Sequence, residues 1–105
     1  MATHRLDVLK QMIAQDPANS FARYGLAMEL ANAGDFESAV AEFRTLLEQD
    51  GNYAAAYFHA GQALEKLGEL ERARSMYERG IEVTTRKGDL HTRSEIEAAL
   101  QMLPV

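Results

Sequence analysis

Residues 20–53, SFARYGLAMELANAGDFESAVAEFRTLLEQDGNY, and residues 54–87, AAAYFHAGQALEKLGELERARSMYERGIEVTTRK, carry one pattern twice, 34 positions apart. The shift places Ala22 on Ala56, Leu30 on Leu64, Gly34 on Gly68, Glu37 on Glu71, Ala39 on Ala73 and Glu48 on Glu82. Between these identities the residue classes agree: Tyr24 with Phe58, Ala27 with Gly61, Asp35 with Glu69, Phe36 with Leu70, Phe43 with Tyr77. Alanine and glutamate are common, so the match of small on small and aromatic on aromatic carries more weight than the identities. Half a unit precedes the first in the same register: Leu6, Leu9, Met12, Ile13, Gln15 and Asp16 fall 34 positions before Val40, Phe43, Leu46, Leu47, Gln49 and Asp50. A period in this range marks stacked supersecondary units.

Each unit reads as two helices. Leu26, Ala27 and Leu30 share one face of a helix over about 20–32, and Phe36, Ala39, Val40, Phe43, Leu46 and Leu47 form one stripe over about 36–49. Asn19 or Ser20 caps the first helix, Gly34 suits the left-handed residue that ends it, and Asp35 caps the second. So short a joint permits only an antiparallel hairpin. The pattern restarts after Asp50-Gly51-Asn52 as helices over about 54–66 and 70–86, with Lys66-Leu67-Gly68-Glu69 expected to act as Asn32-Ala33-Gly34-Asp35 does. A helix over about 4–15 stops at Asp16-Pro17, and after Lys87-Gly88-Asp89 a last helix over about 90–102 sets Ile96, Ala99, Leu100 and Leu103 on one side. Ala27, Gly61, Ala39 and Ala73 let helix axes approach closely, and Phe43 and Tyr77 fill the space between units. One hairpin cannot bury its own stripe, so neighbours must.

These residues are similar to the tetratricopeptide repeat. The chain resembles two full repeats, 20–53 and 54–87, preceded by a half-repeat helix at 4–16 and followed by a closing helix at 89–103, all within one domain spanning 1–105. The resemblance implies an all-α fold of about six helices, antiparallel hairpins stacked in a right-handed superhelix. Four residues depart from the pattern. Arg23 stands where a bulky aromatic is usual, Gly51 and Thr85 replace the boundary proline that Pro17 keeps, and Gly80 is expected to loosen the last full repeat.

In that family the first helices line a concave groove that holds a peptide or partner helix. Carried over by helical spacing, the groove presents Phe21, Tyr24, Met28 and Asn32 from one helix and Phe58, Gln62 and Lys66 from the next, with His59 and Glu65 beside them. Phe21, Tyr24 and Met28 lie on a different face from Leu26, Ala27 and Leu30, so one face is buried and the other is offered to something. The occupant is either a partner, the N-terminal or closing helix folded across the groove, or a second copy of the chain. Tyr24, Met28 and Phe58 stand where chaperone-tail clamps need cations and amides, leaving only Lys66 and Asn32. An apolar segment, such as an amphipathic helix, fits better.

Other chemistries find little support. The chain has 105 residues, no cysteine and a formal charge of −5, which excludes disulfides and thiol chemistry and disfavours a phosphate backbone. His4, His59 and His91 are scattered; His91 and Glu95 form a helical i, i+4 pair that reads as a surface contact rather than a metal site. Ser38, Ser75 and Ser94 have no histidine at hand to act as base, and the glycines are single. Arg72, Arg74, Arg79, Arg86 and Lys87 interleave with Glu71, Glu78 and Glu82 and read as a solvated face. With no long apolar run, neither a signal peptide nor a membrane span is expected. The expectation is therefore a cytoplasmic, non-catalytic protein-interaction module without cofactor or metal, or alternatively a self-associating structural subunit using the same apolar surface.

Overall fold

The computed structural model describes residues 2–104; Met1 and Val105 lie outside the described residues. Within them are six helices: α1 Ala2–Gln15, α2 Ser20–Asn32, α3 Phe36–Gln49, α4 Ala54–Lys66, α5 Leu70–Lys87 and α6 Leu90–Met102. There is no strand among the described residues. Helices α2 and α3 form one antiparallel hairpin and α4 and α5 the next, α1 packs on α2, and α6 packs on α5 and α4.

The helix ends are built as the turn residues dictate. Gly34 and Gly68 adopt positive φ, +84° and +75°, and beyond each the chain folds back. Asp35 N–H donates to Leu30 O and Gly34 N–H to Ala31 O, and the same pair recurs as Glu69 to Leu64 and Gly68 to Glu65, so the last carbonyls are satisfied. Asn19, Asp35 and Asp89 accept from the backbone N–H three residues on, at 3.0, 3.2 and 3.1 Å. Glu69 does not repeat Asp35's role: it makes no capping bond and instead meets Arg72 at 3.5 Å. The extra methylene carries its carboxylate past the orphan N–H groups that an aspartate reaches.

Two apolar clusters hold the stack. The larger runs through α2 to α6 and centres on Phe43, Leu46, Leu64, Tyr77 and Ile96, all fully buried. The smaller joins Leu9 of α1 to Ala22 and Leu26 of α2. Gly61 makes room on α4 for the Tyr77 ring of α5, because a Cβ there would lie 2.1 Å from Tyr77 Cε1. Gly80 corrects the sequence reading. It does not loosen the last repeat: a Cβ would sit 2.7 Å from Tyr57 Cβ and 2.8 Å from Ile96 Cδ1, so it is a point of tight contact between α5, α4 and α6.

Arg23 explains its own departure. Its guanidinium donates to Pro17 O at 3.1 Å and pairs with Glu42 at 2.8 Å, with only 12% of the side chain exposed. One repeat later, Tyr57 donates from its hydroxyl to Gly51 O at 2.7 Å. Residues 17 and 51 are equivalent, as are 23 and 57, so both units brace the same carbonyl with a different donor. The guanidinium leaves a remainder: Arg23 Nε is buried without a partner.

Candidate functional site

An open cleft of about 290 Å³ lies between α2 and α4. Met28, Ala31 and Asn32 come from α2, Phe36 from the start of α3, and His59, Gln62, Ala63, Glu65 and Lys66 from α4. Five of the eight residues assigned from the sequence (Met28, Asn32, His59, Gln62, Lys66) thus share one lining. Its walls are apolar at Met28, Ala31, Phe36 and Ala63, and its polar groups are amides, an imidazole, an ammonium and the Glu65 carboxylate. Among the described residues none of the lining comes from α1 or α6.

The other three assigned residues sit elsewhere. Tyr24 is half-buried on the main cluster, with ring centroids 5.0 Å from Tyr53, 5.9 Å from His59 and 6.2 Å from Phe43. Phe58 is also half-buried and meets His59 edge-on at 5.1 Å. Together these rings continue the cleft as an aromatic shelf. Phe21 stands apart, 72% exposed and outside the cleft lining.

Sequence reasoning missed Ala31, Phe36, Ala63 and Tyr53 as surface contributors. Phe36 reads as core by spacing, yet it is the first residue of α3 and the hairpin bend delivers it to the cleft edge. Tyr53 immediately precedes α4 and carried no periodic signal.

The electrostatics follow from partial burial. Desolvation holds the His59 imidazole below its ordinary range, against the pull of the Glu95 carboxylate and a hydrogen bond with Gln62. Burial, with Tyr53 and Glu95 nearby, pushes the Tyr24 phenol up. Glu65 is already engaged: it accepts from the hydroxyl of Tyr77, whose phenol is raised by burial first and by that carboxylate second. Lys66, Asn32 and Gln62 are the exposed polar groups left on the rim.

His91 and Glu95 approach to 3.8 Å, both exposed, as a helical pair. Among the described residues no group of three metal-ligating side chains converges. Three of the basic residues of α5 work within the fold: Arg86 and Lys87 both reach Asn52, at 2.9 and 2.8 Å, and Arg74 reaches Pro104 O at 2.9 Å. Among the described residues no helix is long and apolar enough to cross a membrane.

Known proteins share this architecture. A tetratricopeptide repeat family profile matches residues 24–82. A tetratricopeptide-repeat-containing protein of Pseudomonas aeruginosa is 31% identical over 98 residues, covering 93% of each chain. The solution structure of a tetratricopeptide repeat domain protein from Salinibacter ruber is 35% identical, with a TM-score of 0.76 over 82% of this chain and 87% of that one. The yeast Sti1 TPR2B domain, 20% identical, superposes with a TM-score of 0.86 over 91% of this chain and 77% of that one, and shares the fold. With the stacked hairpins, the repeated 34-residue register and a family match across more than half its length, this chain belongs to the tetratricopeptide repeat family.

Proposed function

We propose that this chain is a non-catalytic, cytoplasmic protein-interaction module, and that the α2–α4 cleft takes a short peptide or one face of a partner helix. The observation that carries the reading is the open cleft itself, with apolar walls, a polar rim and, among the described residues, no lining from α1 or α6. Met28 and Phe36 offer apolar contact, Asn32, Gln62 and Lys66 offer hydrogen bonds at the rim, and His59 with Phe58 and Tyr24 extends the surface. Among fold neighbours, the yeast Sti1 domain is solved as a complex with pHsp70, which supports protein partners for the architecture. The carboxylate-clamp reading stays unattractive, because Lys66 is the only cation in the lining and Glu65 stands next to it.

Peptides selected by display against the intact chain test this. Selected sequences are expected to shift the amide signals of Met28, Asn32, His59, Gln62 and Lys66, and Met28→Glu is expected to weaken them at least tenfold. Binders indifferent to both Met28→Glu and Lys66→Glu would defeat the assignment.

A second reading, self-association, is favoured by Phe21, Leu90 and Met102, which are large, apolar and at least 72% exposed outside the cleft. Sedimentation equilibrium decides it: a monomer at all concentrations excludes it, and a dimer lost in Phe21→Ser or Met102→Ser supports it.

A further inference from the structure

A second hollow of about 330 Å³ opens between α3 and α5 and shares no residue with the cleft. It is lined by Arg44, Leu64, Arg72, Ser75, Met76 and Arg79: three guanidinium groups, one hydroxyl, two apolar side chains and no carboxylate. The arrangement is dictated by register. Positions 72, 75, 76 and 79 are spaced i, i+3, i+4, i+7 and form one stripe of α5, while Arg44 faces them from α3. Glu71, Glu78 and Glu82, which interleave with these arginines in the sequence, lie about 90° round the helix at 100° per residue. The helix therefore sets these three carboxylates to one side of the stripe, and a chain of net charge −5 brings three guanidinium groups to one hollow.

The guanidinium groups are incompletely neutralised. Arg72 meets Glu69 at 3.5 Å, but both side chains are more than 40% exposed. Arg79 lies 5.4 Å over the Tyr57 ring, which orients it without cancelling its charge. Among the described residues neither Arg44 nor Arg79 makes an ion pair. Carboxylates flank the hollow on both sides: Glu37 and Glu69 share one neighbouring hollow with Arg44 and Arg72, and Glu48 shares the other with Arg44 and Arg79.

We propose that this hollow binds the phosphorylated serine or threonine side chain of a partner peptide. A carboxylate is satisfied by a single guanidinium fork; three forks and a hydroxyl match a group with three terminal oxygens and close to two negative charges. Leu64 and Met76 are buried and form only the floor of the hollow, whose open mouth leaves room for a chain to enter and leave.

Calorimetric titration of the intact chain tests the proposal with a short phosphoserine peptide of otherwise small, neutral residues. The matching unphosphorylated and glutamate peptides and inorganic phosphate, all at equal ionic strength, are the comparisons. The phosphopeptide is expected to bind saturably, at least tenfold tighter than the glutamate peptide and tighter than inorganic phosphate. Arg44→Gln and Arg79→Gln are each expected to weaken it about tenfold. Arg44 is exposed and makes no ion pair among the described residues, so Arg44→Gln is expected to unfold at the temperature of the parent chain. Met28→Glu, in the other cleft, is expected to leave this affinity unchanged, which keeps the two sites separable. Absence of saturable binding, equal affinity in Arg44→Gln, or inorganic phosphate binding as tightly as the phosphopeptide would each overturn it.

Discussion

At the scale of single residues, the closest contacts sit where a side chain is missing or one partner is obligatory. Gly61→Ala drives a methyl group into the Tyr77 ring and is expected to cost about 1–3 kcal/mol in urea unfolding, although alanine is the better helix former. The Tyr77–Glu65 pair invites a double-mutant cycle. Glu65→Ala leaves a buried phenol without its acceptor and is expected to cost about 1–3 kcal/mol. Tyr77→Phe in the same chain should recover most of that loss, because Phe43 and Ala31 occupy the equivalent positions of the first repeat. A purely additive cycle would mean that the hydrogen bond contributes nothing.

At the scale of elements, the two hairpins differ in a way that can be tested by making them alike. Asp35 caps α3 and Glu69 fails to cap α5, so Glu69→Asp is expected to stabilise the chain by about 0.5–1 kcal/mol, read as a rise in Tm. Asp35→Ala should cost about 1 kcal/mol. Helix existence, their bounds and the hairpin pairing were legible in the sequence because spacing, glycine bends and caps all repeat at one interval. Gly80 was misread for want of geometry: composition says that glycine weakens a helix, and only packing reveals that Tyr57 and Ile96 occupy the missing side chain's place. The cleft was legible in part. Helical spacing located Met28, Asn32, His59, Gln62 and Lys66, but it could not show that Tyr24 and Phe58 lean on the core or that Phe21 falls outside. The arginine hollow was illegible because interleaved charges separate only after the sequence is wound into a helix.

At the scale of the whole molecule, the titrating groups act in one direction on each side of neutrality. His59 in the fold binds its proton below the ordinary value of 6.5, so the unfolded chain protonates first and stability falls as pH drops through that value. Asp89, held low by its bonds to Thr92, adds stability that is lost as pH falls through its folded value, below 3.8. Tyr24, Tyr53 and Tyr77 are all raised, so the unfolded chain loses those protons first and stability declines above pH 10. Urea midpoints across pH 5–11 are expected to trace a plateau with shoulders on both sides, and His59→Gln should flatten the shoulder between 5 and 7. The strut from position 23 or 57 to the carbonyl at 17 or 51 has a wider consequence for building with this unit. A phenol and a guanidinium close the same loop in adjacent repeats, so the joint specifies reach and donor rather than residue type. Arg23→Tyr combined with Glu42→Met, the residues that the second repeat carries at both positions, should then be accepted with little change in Tm, and anyone lengthening the array could set the charge of a new joint by choosing those two residues together.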